Sequence, residues 1–336
     1  MKIALVGAGR IGQLHGRLVA AQPDVSELIV FDVDAARARE AAEAVGGRVA
    51  ASPEEALDTA DAVLVAASTD AHARLVSMAV DRRLPVFCEK PLAFDLDETV
   101  ALVDKIEAAG ATVQVGFQRR FDPAYREARR MVESGELGTV YLVRLIAHDH
   151  EPPPDAYIPV SGGLFRDSSI HDFDALRWVT GQEVTELYAA GAVRGFPIFE
   201  RYDDVDTGAV ILELADGTLA VLGQTRHNPR GYDIRMEIVG SRDSVAMGTG
   251  PRTPLRSVEP DAAEPGPAYL DWEGRFAPAY RAEMMSFLRV VRGEIPSPCS
   301  ARDALEAMRI SVAAGRSRAE HRPVRIAEID GPIPID

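Results

Sequence analysis

The chain has 336 residues, a length that predicts two domains, and its 46% apolar and 26% charged residues are typical of a globular protein. A net charge of −15 argues against nucleic acids and membranes as partners, because nucleic acids and anionic membrane surfaces repel it. The two cysteines, Cys88 and Cys299, fit neither a disulfide framework nor a metal pattern, and no membrane-spanning run or signal peptide is evident, so we expect a cytoplasmic protein.

Strand-like and helix-like stretches alternate over the first third of the chain. Strands are expected at 2–6, 27–31, 61–66, 85–88 and 112–116, and helices lie between them, near 10–21, 34–46, 70–82 and 95–109. Ser52 and Pro53 indicate the start of a further short helix. This alternation predicts an α/β fold with βαβ units around a doubly wound parallel sheet.

The pattern changes after Gly116. A helix near 123–134 precedes runs that predict consecutive strands, at 140–147, 184–193, 207–214, 219–226 and 234–239. Consecutive strands without helices between them favour an antiparallel or mixed sheet. A proline-rich loop follows at 251–267, and helices near 277–292 and 301–318 end the pattern. We therefore expect one domain over 1–118 and a second over 119–336.

A glycine-rich turn, Gly7-Ala8-Gly9-Arg10-Ile11-Gly12, follows the first strand directly and opens the first helix. In this context Gly7 allows a tight turn, Gly9 lets the backbone approach a pyrophosphate, and Gly12 lets the helix pack on the strand. Backbone N–H groups and the positive end of the helix then face the phosphates. The turn therefore predicts a dinucleotide site that includes Arg10 and Ile11.

Asp32 lies 20 residues after Gly12, where the second strand ends. A carboxylate at this position accepts both hydroxyls of an adenosine ribose and repels a 2′-phosphate. No arginine or lysine follows until Arg37, so the sequence favours NAD over NADP. The alternative interpretation, in which Asp32 caps the next helix, is compatible with this role.

Two further segments carry candidate catalytic residues. Glu89-Lys90-Pro91 follows a sheet strand, at the edge where ligands gather in open α/β sheets, although a solvated charge pair fits the composition equally well. In a helix, Asp167, His171 and Asp174 would share one face. That face could orient a catalytic histidine, bind a metal, or simply be solvated.

The motifs together resemble the Gfo/Idh/MocA oxidoreductase family, and within it the inositol dehydrogenases. The resemblance rests on the opening glycine turn, on Glu89-Lys90-Pro91, and on the run of Gly, Leu, Asp, His and Asp from Gly163 to Asp174. It covers essentially the whole chain. It implies an N-terminal Rossmann domain and a C-terminal α/β domain with a large, open, mostly antiparallel sheet.

The resemblance also implies roles for individual residues. Lys90, Asp167 and His171 match the catalytic triad of the sugar and polyol dehydrogenases. Cofactor contacts are implied for residues near the strand ends: Ser68, Thr69, His72, Glu89, Lys90 and Arg119. A helix cap is the alternative role for Ser68 or Thr69. Arg119 and Tyr232 are implied to approach the cofactor or the substrate. His148 and Asp149, at the end of a predicted strand, are further candidates for substrate contact, with a solvated loop as the alternative.

We therefore expect an NAD-dependent dehydrogenase that oxidises a ring secondary hydroxyl of a cyclic polyol or sugar. An example is the oxidation of myo-inositol to 2-keto-inositol by hydride transfer to nicotinamide C4. His171 is the expected general base, Asp167 its orienting partner and Lys90 the group that stabilises the reacting oxygen, with the roles of His171 and Lys90 open to exchange.

The alternatives are an NAD-retaining glycoside hydrolase of the same family and a non-catalytic NAD-binding regulator. We expect a homo-oligomer, either a dimer or a tetramer, that needs no metal.

Overall fold

The computed structural model describes residues 1–329, which divide into two compact units. The first unit contains residues 1–121 and 278–306, and the second contains residues 122–277 and those from 307 onward. The division expected from the sequence, at 118/119, places 278–306 with the second domain instead.

The first unit is built around a sheet of six parallel strands in the order β3-β2-β1-β4-β5-β6. Its elements alternate along the chain: β1 (Lys2–Val6), α1 (Arg10–Ala20), β2 (Glu27–Phe31), α2 (Ala35–Val45), β3 (Arg48–Val49), α3 (Pro53–Asp58), β4 (Ala62–Val65), α4 (Thr69–Asp81), β5 (Val86–Glu89), α5 (Leu96–Ala109) and β6 (Val113–Gly116). The strand order reverses between β1 and β4, and ligands bind at such a switch point in open α/β sheets.

Local signals in the sequence set the ends of these helices. Asp34 caps α2 by accepting hydrogen bonds from the backbone N–H groups of Ala36 and Arg37. Ser52 caps α3, and Pro53 occupies the first turn, as the sequence predicts. Gly46 and Gly110 end α2 and α5 in the left-handed conformation, which glycine adopts without strain.

Both faces of the central strands are buried, which explains their uninterrupted apolar runs. Leu5, Leu64 and Phe87 are fully buried in this core. Met284 and Phe287 of the 278–306 segment pack in the same cluster, so this later segment completes the core of the first unit.

The second unit contains a mixed sheet of seven strands in the order β12-β11-β7-β10-β9-β8-β13. Only β7 and β10 run parallel. The remaining elements of the chain are α6 (Pro123–Glu133), β7 (Val140–His148), α7 (Ile158–Ser161), α8 (Leu164–Asp167), α9 (Ile170–Thr180), β8 (Val184–Ala192), β9 (Thr207–Leu214), β10 (Leu219–Thr225), β11 (Asp233–Gly240), β12 (Ser244–Met247), α10 (Trp272–Val291), α11 (Ala301–Glu320) and β13 (Val324–Arg325).

One face of this sheet is covered and the other is open. Along β9 and β10, buried residues alternate with exposed ones, as expected for a sheet covered on one side. Asp216 and Gly217 form the turn of the hairpin between these strands, where Gly217 has a φ of +85°. In residues 1–329, no helix is both long and apolar enough to cross a membrane. The cytoplasmic location stays a prediction.

Candidate active site

The glycine turn after β1 has the shape that a dinucleotide requires. Gly7 has a φ of +98°, and a Cβ there would lie 2.3 Å from the backbone nitrogen of Ala67. A Cβ on Gly12 would lie 2.0 Å from the carbonyl oxygen of Gly7, so helix and strand meet at this glycine. Gly9 faces open space, and no side chain caps the N-terminus of α1. A pyrophosphate therefore has room to approach the backbone at Gly9.

Asp32 ends β2 beside this turn. Its Oδ2 accepts a hydrogen bond from the N–H of Ala8 at 2.7 Å, and its Oδ1 accepts one from the N–H of Asp34 at 2.8 Å. Asp34, and not Asp32, caps the following helix. Arg37 lies within 3.5 Å of the Asp32 carboxylate. The position of Asp32 fits recognition of a ribose, because Oδ2 keeps a further lone pair for a hydroxyl and the second contact of Oδ1, with Arg37, is long at 3.5 Å.

The segment after β4 contains three residues of the predicted cofactor site: Ser68, Thr69 and His72. Ser68 occupies the N-cap position of α4, but its side chain makes no capping hydrogen bond. The ring nitrogens of His72 face two carbonyl oxygens, with Nδ1 at 2.8 Å from Pro91 and Nε2 at 3.0 Å from Ala67. Burial lowers the pKa of His72. Because its ring is almost fully buried, His72 holds the backbone of this edge, a position that does not suit the direct cofactor contact expected from the sequence.

Lys90 follows β5 directly and is half-buried. The neighbouring Glu89 carboxylate accepts a hydrogen bond from the backbone N–H of Lys90 at 3.3 Å, and its Oε1 lies 2.6 Å from Nε2 of His15. Glu89 is therefore a half-buried partner of His15 rather than half of a solvated charge pair. Its contact with the backbone of Lys90 indicates a supporting role, and the cofactor contact expected for Glu89 stays a prediction.

Arg119 lies in a 3-10 turn, Gln118–Phe121, at the carboxyl end of β6. Arg119 is buried, and its neighbour Arg120 holds the turn in place. The guanidinium of Arg120 lies 3.1 Å from Asp303 and donates to the carbonyl of Pro298, also at 3.1 Å. The turn thus keeps Arg119 at the same sheet edge as Lys90.

In the second unit, a bridge of charges forms where the parallel strands β7 and β10 end. Arg226, which follows β10, lies 2.9 Å from Oδ2 of Asp167 and 3.4 Å from Oδ2 of Asp149, which follows β7. The hydroxyl of Tyr157 donates to Oδ1 of Asp167 at 2.9 Å. The side chain of Arg226 is only 4% exposed. The bridge therefore joins two of the predicted residues, Asp149 and Asp167, through one that was not predicted.

The charges of this bridge shift the pKa values of its members. Burial lowers the pKa of Arg226, but the carboxylates of Asp167 and Asp149 outweigh burial and leave it raised. Burial, followed by the charge of Asp167, raises the pKa of Tyr157. Both groups therefore keep their protons around neutral pH and act as hydrogen-bond donors.

Sequence reasoning missed Arg226 and Tyr157. A signal for Arg226 was present, because Ala220, Leu222 and Gln224 of β10 are buried on one face and Arg226 continues that alternation. An arginine at a position of the buried face is rare without partners, so it indicates a site of buried carboxylates. Tyr157 lies in an irregular segment before α7, and no periodicity could have identified it.

His171 lies in the first turn of α9 and is half-buried. The single helix considered for 167–174 is interrupted, since α8 ends at Asp167 and α9 begins at Ile170. The hydroxyls of Ser168 and Ser169 form hydrogen bonds with the side chain of Gln224. The hydroxyl of Ser169 also donates to the backbone carbonyl of Leu164, and a bond of this kind competes with the regular helical pattern at the break.

Asp174 does not join a ligand set with Asp167 and His171. It is fully buried, and within residues 1–329 the group of histidine and carboxylate atoms close enough to hold a metal is His15, Glu89 and Glu283. The metal interpretation of the 167–174 segment therefore lacks support in the described part of the chain.

Two further predicted substrate residues of the second unit are His148 and Tyr232. Nδ1 of His148 lies 3.0 Å from the hydroxyl of Thr225, its neighbour on β10. Burial lowers the pKa of His148. Tyr232 precedes β11, where its backbone N–H donates to the carbonyl of Tyr269 at 2.8 Å and its ring packs edge-on against Phe276. Roles for His148 and Tyr232 in substrate binding stay predictions.

The sequence matches family models over both halves. Residues 1–117 match an oxidoreductase family with an NAD-binding Rossmann fold, and residues 125–246 match the C-terminal domain of the GFO/IDH/MocA family. The chain belongs to the GFO/IDH/MocA family. The family and the fold class predicted from the sequence are therefore confirmed, and the first unit carries an NAD-binding Rossmann domain of an oxidoreductase.

Similarity to individual proteins extends over nearly the full length. A myo-inositol dehydrogenase of Streptomyces leeuwenhoekii is 40% identical, over 94% of this chain and 97% of that protein. The crystal structure of a probable dehydrogenase from Thermotoga maritima has a TM-score of 0.92 at 32% identity, with 98% of this chain and 100% of that chain covered. A scyllo-inositol dehydrogenase from Lactobacillus casei, with bound NAD(H) and scyllo-inositol, has a TM-score of 0.86 at 27% identity and 97% and 99% coverage.

Proposed function

We propose that this protein is an NAD-dependent dehydrogenase that oxidises a ring secondary hydroxyl of a cyclic polyol, with an inositol as the first candidate substrate. The observation that carries the proposal is the bridge of Arg226 to Asp149 and Asp167. Two carboxylates offset the one guanidinium, so the bridge offers donors and acceptors without excess positive charge. An uncharged ligand rich in hydroxyls suits such a cluster, whereas a phosphorylated sugar needs surplus cations.

The similar proteins support the same substrate class. One is named a myo-inositol dehydrogenase, and another was solved with NAD(H) and scyllo-inositol bound. Because these two names cover different inositol stereoisomers, we extend the proposal to inositols as a class.

NAD, when bound, supplies the acceptor for the hydride that leaves the carbinol carbon. The Gly7–Gly12 turn suits its pyrophosphate, and Asp32 suits its ribose. The residues of this chain must then remove the proton of the hydroxyl, so that the carbon loses a hydride and the oxygen loses a proton. We propose that His171 is the base that accepts this proton and that Asp167 orients His171. Lys90 stabilises the negative charge that develops on the oxygen.

A substrate panel tests the proposal. The purified protein is incubated with myo-, scyllo- and D-chiro-inositol and with common aldoses, with NAD and NADP in parallel, and NADH or NADPH is followed by absorbance. We expect NADH to accumulate with at least one inositol, and faster than NADPH. If no polyol or aldose yields NADH while NAD still binds, the proposal is wrong and the regulator alternative is favoured.

The same assay separates the glycoside hydrolase alternative. A hydrolase that oxidises its substrate transiently and reduces it again releases sugar without net NADH. Aryl glycosides are therefore added to the panel, with release of the aryl alcohol followed beside NADH. Release of the alcohol without accumulation of NADH would establish the hydrolase and contradict the dehydrogenase.

We also propose that the open face of the second sheet is covered by a second copy of this chain. The face carries exposed apolar side chains on neighbouring strands, with Ile211 54% exposed, Leu219 47% exposed and Tyr188 39% exposed. Tyr188 and Ile211 are paired across β8 and β9, so the patch is continuous. Light scattering after size exclusion should give a dimer or a tetramer, and Ile211→Glu should dissociate it. A monomeric wild-type protein at micromolar concentration would contradict the proposal.

A further inference from the structure

Glu283 is a buried acid for which the described structure provides no partner. It lies on α10 within the first unit, is fully buried, and neither carboxylate oxygen has a hydrogen-bond partner. Buried polar groups are nearly always hydrogen-bonded, and a buried charge without a partner is strongly unfavourable. The position of Glu283 therefore calls for a physical explanation.

Two other titratable groups lie beside this acid. Ligand atoms of His15, Glu89 and Glu283 all lie within 4.8 Å of one another, and we call these three residues the acidic cluster. His15 comes from α1, Glu89 from β5 and Glu283 from α10. Two further side chains border the cluster: Gln114 of β6 donates to the backbone carbonyl of Glu283 at 3.3 Å, and the Tyr280 ring lies 5.8 Å from the His15 ring.

The acidic cluster can hold only one carboxylate charge without a further cation. His15 and Glu89 form a direct contact of 2.6 Å, so a charge on Glu89 has a partner. A second negative charge, on Glu283, would face the charge of Glu89 in the low-dielectric interior of the protein. The repulsion between the two carboxylates favours a proton on one of them. Burial, followed by the charge of Glu89, raises the pKa of Glu283 well above its usual range.

A proton is a better explanation of the cluster than a metal ion. Two ligands of one ion are each about 2.0–2.2 Å from it and thus lie roughly 3 Å or more apart. Nε2 of His15 and Oε1 of Glu89 are closer than that, at a distance typical of a hydrogen bond. A metal ion between these two atoms would have to break the direct contact between His15 and Glu89.

The acidic cluster connects directly to Lys90. The second oxygen of Glu89 accepts a hydrogen bond from the backbone N–H of Lys90. Gly116 on β6 leaves the space for this carboxylate, since a Cβ at that position would lie 3.1 Å from Oε1 of Glu89 and 2.9 Å from the ring of Phe87. A change in the charge of Glu283 would thus act on Glu89, and through it on the position of Lys90.

We propose that Glu283 keeps its proton at neutral pH and that the acidic cluster is a positioning device for Lys90. His15 holds Glu89 in one place through their direct contact, neutral Glu283 places no second negative charge beside it, and Glu89 holds the backbone of Lys90. The part that concerns Lys90 rests on the proposed function, whereas the proton on Glu283 does not. Glu283 and His15 are therefore positioning residues and do not touch the substrate.

Infrared difference spectroscopy tests the proton directly. The spectrum of Glu283→Gln is subtracted from that of the wild-type protein at neutral pH, and a carbonyl band of a protonated carboxylic acid should remain. Glu43→Gln, a change of an exposed glutamate on α2, is the control and should leave no such band. Absence of the band in the Glu283 difference spectrum would overturn the proposal.

The pH dependence of unfolding provides a second test that needs no substrate. With a pKa raised in the folded state, Glu283 binds more protons folded than unfolded above its usual value of 4.5, so stability falls as the pH rises. Between about pH 5 and pH 9, the melting temperature of the wild-type protein should fall more than that of Glu283→Gln. If the melting temperatures of the wild-type protein and of Glu283→Gln change equally with pH, Glu283 is not protonated. A fall in the melting temperature of the wild-type protein on treatment with a chelator would also contradict the proposal.

Kinetics test the positioning role. Glu89→Gln should lower kcat about 10-fold and change KM for NAD less than about 2-fold, because Glu89 contacts Lys90 and not the cofactor. Glu283→Gln, which mimics the neutral acid, should retain more of kcat than Glu283→Ala at equal melting temperature. Equal loss in the two Glu283 variants, or a loss confined to KM, would show that the cluster does not position Lys90. If no substrate is found, the infrared spectrum and the pH dependence of unfolding still show whether Glu283 is protonated.

Discussion

The candidate functional residues of the first unit and those of the second unit are positioned in different ways. In the first unit, the candidate dinucleotide site is formed by backbone. It consists of the glycine turn, the N-terminus of α1 and the edge of the parallel sheet. In the second unit, side chains on separate strands and a short helix form the bridge of Asp149, Arg226 and Asp167. A backbone site depends on a short local sequence, whereas a side-chain site depends on strand register and packing.

The largest expected effect concerns catalysis. Lys90→Ala and His171→Ala should each lower turnover by at least about 100-fold, because each removes a group that acts on the reacting hydroxyl. The dissociation constant for NAD should stay within about 3-fold, since the dinucleotide turn is formed by backbone. Steady-state kinetics with the best inositol, together with NAD titration by fluorescence, provide the measurement.

Matched controls are available for both changes. Lys105→Ala removes a lysine that contacts Ser77 and Asp81, and His321→Ala removes an exposed histidine. Both controls should keep turnover within about 2-fold of the wild-type value, as expected for changes away from the chemistry. Near-normal turnover in Lys90→Ala or His171→Ala would remove that residue from the proposed mechanism.

The second prediction breaks the bridge in the second unit. Arg226→Met should lower the free energy of unfolding by roughly 2–4 kcal/mol, because it leaves the carboxylates of Asp149 and Asp167 without their buried partner. Asp149 is 28% exposed and solvent screens part of its charge, which places the value below that of a fully buried pair. Urea unfolding monitored by circular dichroism gives the measurement.

Arg177→Met is the control for this change. Arg177 is also buried, but Glu183, one of its partners, is 61% exposed, so solvent can stabilise that carboxylate when the arginine is removed. We therefore expect Arg177→Met to lose less stability than Arg226→Met. If the two variants lose equal stability, the bridge is no more than an ordinary surface-linked ion pair.

The third prediction separates shape from binding in the glycine turn. Gly9→Ala should fold normally, because its Cβ meets open space at a φ of −68°, yet bind NAD at least about 10-fold more weakly, since the methyl group occupies the path of the pyrophosphate. Gly12→Ala should instead lower stability, because its Cβ would lie 2.0 Å from the carbonyl oxygen of Gly7. Unchanged NAD affinity in Gly9→Ala would mean that the cofactor does not approach this glycine.

The same contrast explains what the sequence could predict. The βαβ pattern, the glycine turn and the position of Asp32 depend on neighbouring residues, and the parallel sheet follows from their alternation. Strand β12 and the break at Ser168 and Ser169 were missed, because β12 is short and no glycine or proline marks the break in the sequence. Arg226 was missed for a related reason, since its partners become neighbours only when β7 and β10 pair in parallel.

The smallest effect concerns the side chain that selects the cofactor in the otherwise backbone-built site. Asp32→Asn keeps an oxygen that can accept the N–H of Ala8 but removes the charge that repels a 2′-phosphate. Arg37, within 3.5 Å of this carboxylate, is then available to a phosphate. The preference for NAD over NADP in kcat/KM should fall by about 10-fold, a modest change because the exposed guanidinium is screened by solvent.

The double change Asp32→Asn with Arg37→Ala tells which residue carries that shift. If the arginine binds the 2′-phosphate, the double variant should lose the improved use of NADP and keep the weaker use of NAD. If the double variant uses NADP as well as the single variant does, repulsion by Asp32 alone sets the preference. Either result assigns the choice between NAD and NADP to one side chain, beside a turn whose shape is set by glycines. If Asp32→Asn leaves the preference for NAD unchanged, neither Asp32 nor Arg37 selects the cofactor.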